Sequence, residues 1–156
     1  MLLHEKLKDW KLILASQSPR RRQLLQDAGL EFQLAPRFEC EESFPDTMPA
    51  EQVAEYLSHL KSEAYPYELG EKDVLLTADT VVVASGRVLG KPANREDAIE
   101  MIGLLSGREH EVITGVSLRS ASTMQSFSTH SKVRFRKLSD EEIIYYIDTY
   151  KPMDKA

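Results

Sequence analysis

Residues 74–92 read VLLTADTVVVASGRVLGKP, and this stretch decides the fold. The run from Val74 to Ala84 is expected to form a strand with Asp79 in its middle. Ser85–Gly86 is a tight turn, and a short return ends in Gly90-Lys91-Pro92. Side chains alternate across a strand, so Leu75, Thr77, Asp79, Val81 and Val83 share one face. Val74, Leu76, Ala78, Thr80, Val82 and Ala84 share the other. Both faces are largely apolar, the pattern of a central strand covered on both sides. A carboxylate there is costly to bury unless a cation, a metal or several donors meet it. A core aspartate capping a neighbouring turn would need no function, yet so apolar a strand favours a functional role for Asp79.

Upstream, Lys11–Ala15 (KLILA) is a short apolar strand that runs into Ser16-Gln17-Ser18-Pro19-Arg20-Arg21-Arg22. Ser18 suits an N-cap, Pro19 the first helical position and Gly29 the position past the helix end. A strand leading into a helix N-terminus leaves free amides that attract anions. Three arginines in the first turn oppose the macrodipole, a penalty that an anion bound there would offset. Successive helical residues point about 100° apart, so the three cannot all face one ligand. Arg20 and Arg21 are the expected pair, with Arg22 solvated.

Glu31–Ala35 reads as a second strand and Pro36–Pro49 as a loop made acidic by Glu39, Glu41 and Glu42. Acidic loops are commonly just solvated, but one carboxylate facing a phosphate site could hold a divalent cation. Pro49–Ala64 is an amphipathic helix with Val53, Leu57, Leu60 and Ala64 on its apolar stripe, Ala54 beside them and Lys61 in its last turn. Asn94 caps a further helix that ends near Gly107. Glu111–Ser120 and Ser126–Leu138 form a hairpin, with Val112, Thr114, Val116 and Leu118 on one face of the first strand. Ser139-Asp140-Glu141-Glu142 is a capping box opening a last helix, and residues 1–10 read as a partly helical extension.

With 156 residues the chain has length enough for one domain with a real core. A net charge of −5 with mixed signs argues against a general nucleic-acid or membrane binder. One cysteine, Cys40, rules out an internal disulfide, and His4, His59, His110 and His130 lack metal-ligand spacing. No signal-peptide shape or spanning run is evident, so a cytoplasmic protein is expected. Gly86–Pro92 is no P-loop, being one residue short and carrying Pro92 where a Ser or Thr would reach magnesium. No Ser-His-Asp or Cys-His arrangement is suggested. What remains is a basic strand-to-helix turn, a strand carboxylate, lysines and an acidic loop. Such parts can hold a polyphosphate with a metal and activate water beside it.

Ala15-Ser16-Gln17-Ser18-Pro19-Arg20-Arg21 with Leu24-Leu25, Ala78-Asp79-Thr80-Val81-Val82 and Leu89-Gly90-Lys91-Pro92 occur in this order. Leu105-Ser106-Gly107 with His110, Thr114-Gly115-Val116 and Pro152-Met153-Asp154-Lys155-Ala156 follow. The ordered set resembles the Maf family of nucleoside triphosphate pyrophosphatases. The resemblance implies an α/β fold related to inosine-triphosphatase-like enzymes, with an elongated mixed sheet flanked by helices and a cleft between two lobes. It implies cleavage of a nucleoside triphosphate to the monophosphate and pyrophosphate with Mg²⁺ or Mn²⁺. Asp79 matches the proton acceptor and a metal-binding carboxylate; Ser16, Arg20, Arg21, Lys61 and Lys91 match phosphate-binding positions, Lys91 also in a catalytic role. Glu42 resembles the acidic loop residue that assists metal or water. Arg20 and Thr80, with the Asp154-Lys155-Ala156 ending, resemble the subgroup acting on dTTP, UTP and modified pyrimidine nucleotides.

Family members continue past Ala156, so residues 1–156 are expected to be a single Maf-like domain, C-terminally incomplete relative to the family: either a truncated product, with reduced stability and weak or no turnover, or part of a longer chain. Members often form homodimers, though nothing in this sequence demands one. The competing expectations are a non-catalytic nucleotide-binding regulator of septum formation and a module binding phosphorylated RNA or protein through Arg20–Arg22.

Overall fold

The computed structural model describes residues 8–16, 18–90 and 92–150. The extension at 1–7, Lys91 and the ending at 151–156 lie outside the described residues. The elements in chain order are β1 (Lys11–Leu14), α1 (Pro19–Asp27), β2 (Gln33–Leu34), α2 (Ala50–Ala64) and β3 (Asp73–Ala84). There follow β4 (Arg87–Leu89), α3 (Arg95–Leu105), β5 (Glu109–Arg119), β6 (Met124–Arg134) and α4 (Asp140–Tyr150). The fold is a mixed α/β arrangement with strand order β2-β1-β3-β5-β6 and β4 paired to the end of β3.

Central placement of β3 follows from its two apolar faces, and Leu75, Thr77, Ala78 and Val81 are buried. It pairs in parallel with β1 in the register Leu14↔Leu76, and β1 pairs in parallel with β2. At its far end β3 turns back through Ser85 (φ 52°) and Gly86 (φ 74°) into antiparallel β4. Two successive positive φ values are what a type I′ hairpin turn requires. Between β5 and β6 the Ser120 N–H donates to the Thr123 carbonyl at 2.8 Å. A connection that short admits only antiparallel strands.

Helix ends follow their cap residues. Ser18 Oγ accepts from the Arg21 N–H, and past Ala28 the Leu30 N–H reaches Leu25 O while Gly29 N–H reaches Gln26 O. With Gly29 at φ 75°, this is a Schellman ending. In α3 the Asn94 side chain accepts from Asp97 N–H, and at α4 Ser139 and Glu142 exchange bonds as a capping box.

On α2 and β5, burial extends to residues that the apolar pattern does not mark. Burial on α2 centres on Val53, Ala54, Leu57, Ser58 and Ser62, with Leu60 and Ala64 only half-buried. On β5 the deeply buried parity is Ile113, Gly115 and Ser117, while Val112, Thr114, Val116 and Leu118 are half-buried. Both have one cause. Helix α2 packs so close to β5 that a Cβ on Gly115 would lie 2.3 Å from Ala54 C, Ala54 O and Glu55 N. Only small residues fit such a seam. The second strand is also shorter than Glu31–Ala35: Gln33 and Leu34 pair with Ile13 and Leu14, and the Ala35 N–H donates to Leu14 O at 2.9 Å.

The chain groups into two compact units. One comprises residues up to Asp46, Ala54–Asp79 and Gly115–Ser128; the other comprises Thr47–Val53, Thr80–Thr114 and the chain from Thr129. In the first, Ile13, Tyr65 and Leu75 form a core with Ala15, Ala35, Phe38 and Leu69 against them. In the second, Ala98 of α3 meets Ile143 and Ile147 of α4 with Ile99, Ile102 and Leu138 around them.

Candidate active site

The parallel register that puts Leu14 level with Leu76 carries the chain after β1 alongside Ala78 and Asp79. There the backbone leaves the sheet, and the Ser18 N–H donates to Ser16 Oγ at 3.2 Å. Arg21, in the first turn of α1, reaches back: its Nη1 donates to Ser16 Oγ and to Ala78 O, both at 3.2 Å. Burial pulls the Arg21 pKa below its usual value, and the carboxylates of Asp79 and Glu42 act against that pull.

Lys61 arrives from the last turn of α2, where a cation is favoured by the helix dipole. Its Nζ donates to the same Ala78 carbonyl at 3.4 Å and lies 3.6 Å from Asp79 Oδ1 and 3.1 Å from Glu42 Oε1. The Lys61 and Asp79 side chains are only 18% and 19% exposed, whereas Glu42, on the loop before α2, is 54% exposed. One carbonyl, Ala78 O, thus gathers two cations beside the strand carboxylate. Nearby, Cys40 has its thiol pKa pushed up, first by burial and then by Glu42, with Lys61 opposing and Asp79 and Glu41 adding. That environment keeps the thiol protonated and unsuited to nucleophilic chemistry.

Ser16, Arg21, Glu42, Lys61 and Asp79 therefore come together within the first unit. Of the remaining arginines, Arg20 is exposed and Arg22 half-buried, and neither enters these contacts. Thr80 begins a segment of the second unit, where its Oγ1 lies 3.0 Å from Thr114 Oγ1. Lys91 is outside the described residues. Sequence reasoning missed the neighbourhood of Cys40, for which two flanking glutamates were the available signal.

A family model described as Maf-like protein matches residues 11–156. The chain belongs to the Maf family. Among Maf relatives, a protein named dTTP/UTP pyrophosphatase from Phocaeicola vulgatus is 46% identical over 97% of this chain and 79% of its own length. Another of that name from Parabacteroides distasonis is 45% identical over 97% of this chain and 79% of its own. Among solved structures, a HAM1 protein from Coxiella burnetii aligns at a TM-score of 0.48 and 16% identity, over 80% of this chain and 72% of that one.

Proposed function

We propose that this Maf protein is a nucleoside triphosphate pyrophosphatase that converts dTTP and UTP to the monophosphate and pyrophosphate. The observation that carries the proposal is the meeting of Arg21 and Lys61 on Ala78 O beside Asp79. The names of the Phocaeicola and Parabacteroides relatives support the substrate class.

In this reading Arg21 and Lys61 donate to phosphate oxygens, and Ser16 Oγ holds the Arg21 fork in place. Asp79 takes a proton from water as the water oxygen bonds to the α-phosphorus. The α–β bridging P–O bond breaks, and its electron pair leaves with pyrophosphate, whose charge Lys61 and Arg21 stabilise. Glu42 and Asp79 offer carboxylate oxygens, with Ala78 O and Ser16 Oγ near, and an all-oxygen set suits a hard cation such as Mg²⁺ or Mn²⁺. Among the described residues no group of three or more acidic, His or Cys side chains gathers, which fits a cation shared with substrate phosphates. When bound, such a cation withdraws charge from phosphate oxygens.

The test is pyrophosphate release from dTTP, UTP, CTP, GTP and 7-methyl-GTP with Mg²⁺ or Mn²⁺. Turnover of dTTP and UTP that falls about 10²- to 10⁴-fold in Asp79→Asn, with nucleotide binding retained, is the expected result. A folded, monodisperse sample silent across the panel would overturn the reading.

A further inference from the structure

Helix α2 carries a line of hydroxyls into the interior of the first unit. Ser58, Ser62, Thr77 and Ser117 are all 0% exposed. Thr77 Oγ1 donates to Ser58 O at 2.7 Å. The Ser58 hydroxyl donates to Glu55 O at 2.7 Å and lies 2.8 Å from Ser117 Oγ, itself 2.7 Å from Ser126 Oγ. One turn on, the buried Ser62 Oγ has no hydrogen-bond partner among the described residues. Apolar side chains would fill such a seam without the desolvation cost of hydroxyls. What hydroxyls add is direction: a short hydrogen bond fixes both the slide and the rotation of one element on another, which apolar packing leaves softer.

That direction bears on the site. Ser58 stands one turn before Lys61 on α2, and Thr77 stands two residues before Asp79 on the same face of β3. The bond from the Thr77 side chain to the Ser58 carbonyl therefore ties β3 to the α2 backbone next to the positions that carry the ion pair. Gly115 completes the seat by letting the α2 backbone at Ala54–Glu55 lie directly on β5.

We propose that Thr77 is a positioning residue: its hydroxyl, bonded to Ser58 O, sets helix α2 in the register that holds Lys61 against Asp79. Ser117 and Gly115 support that seat. The proposal deepens the pyrophosphatase reading and rests on it only for its catalytic consequence. Displacement of a catalytic group by about 1 Å can cost on the order of 10²-fold in rate, so a softened helix register is expected to be costly.

The experiment compares Thr77→Val, which keeps shape and loses the hydroxyl, with Thr77→Ser, which keeps the hydroxyl. Ile113→Val is a control for simple core destabilisation. The first readout needs no turnover: in ¹³C-lysine-labelled protein, the shift of the Lys61 ε-methylene signal on adding Asp79→Asn reports the Lys61–Asp79 contact. Wild type, Thr77→Ser and Ile113→Val should show that shift, and Thr77→Val should lose most of it. The second readout is pyrophosphate release from dTTP below the unfolding midpoint of each variant. A fall in kcat of about 10-fold or more in Thr77→Val, restored by Thr77→Ser, is expected. A Lys61 signal in Thr77→Val that still responds to Asp79→Asn as in wild type overturns the positioning role. If the wild type releases no pyrophosphate, the enzymatic reading fails, while the lysine signal still decides the role of Thr77.

Discussion

The ammonium of Lys61 lies 3.6 Å from Asp79 Oδ1, with the more exposed Glu42 carboxylate 3.1 Å away on its other flank. Replacing Lys61 with Met leaves Arg21 as the cation that, among the described residues, is coupled to both acids. Turnover of dTTP should fall on the order of 10²-fold or more, because charge developing on phosphate loses a donor. Stability should fall by roughly 2–4 kcal/mol, because Asp79, only 19% exposed, loses a charge partner and, among the described residues, keeps the Arg21 charge to offset its burial. Glu42→Gln, at the exposed end, should stay within about 0.5 kcal/mol of wild type. Urea midpoints and dTTP kinetics on the three proteins check this, and a Lys61→Met enzyme as fast as wild type would remove Lys61 from the mechanism.

Gly115→Ala should be among the most damaging single methyl additions in the chain. The new Cβ would sit 2.3 Å from backbone atoms of Ala54 and Glu55, which have no side-chain freedom to yield. A cost of about 3 kcal/mol, the upper range for overpacking, corresponds to a fall in Tm of roughly 6–12 °C. A melting temperature within about 2 °C of wild type would mean that the helix can lift off the strand at little cost.

His110 gives the second unit a dependence on pH. It is 6% exposed, packs edge-on against Phe135 at 4.9 Å, and its Nδ1 has no partner among the described residues. Burial pulls its pKa below the ordinary value of 6.5. A depressed folded pKa means that the unfolded chain takes up the proton first. Stability from this group is thus complete above pH 6.5 and declines as pH falls below it. Urea midpoints at pH 7.5, 6.5 and 5.5 should fall in wild type and stay flatter in His110→Leu; parallel slopes would exclude this origin.

The N-terminus of α4 should weaken in acid by a separate route. Glu142, bonded to Arg136 and to the Ser139 N–H, has its pKa lowered from 4.5 to about 2. Its contribution is present above pH 4.5 and is lost as pH drops toward 2. Ser139→Ala should cost about 1 kcal/mol at neutral pH, as loss of an N-cap typically does. Amide exchange of Glu142 and Ile143 measures both effects, and no faster exchange in Ser139→Ala would discount the cap.

Features written into local chemistry were legible in the sequence. Ser18 and Gly29 bound α1, Ser85–Gly86 makes the hairpin turn, Asn94 caps α3, and Ser139 with Glu142 opens α4. On α2 the apolar pattern marked Val53, Ala54 and Leu57, but it did not mark the small and polar residues buried on α2 and β5. Ser58, Ser62, Gly115 and Ser117 score as polar or neutral, and they are interior only because they meet one another or leave room for a backbone. Apolar periodicity cannot register a seam made of small residues. The site divides in the same way. Asp79 stood out as a carboxylate in an apolar strand, but which arginine of α1 reaches Ser16 and Ala78 O depends on the azimuth of one helical turn. Which acid of the loop pairs with Lys61 depends on a loop path that no local rule dictates; Glu42 was singled out only by the family resemblance.

Among the described residues, the formal charges of Arg21 and Lys61 around Ala78 O balance those of Glu42 and Asp79, two against two. The cluster thus projects little field into solvent, and the chain as a whole carries −5. Among the described residues this cluster adds no net attraction, so capture of a polyanion by it is governed by short-range exchange of partners, in which phosphate oxygens replace carboxylate oxygens on the same cations. Association rates should then change little with ionic strength, by less than about threefold between 50 and 300 mM salt, in contrast to sites that steer ligands electrostatically.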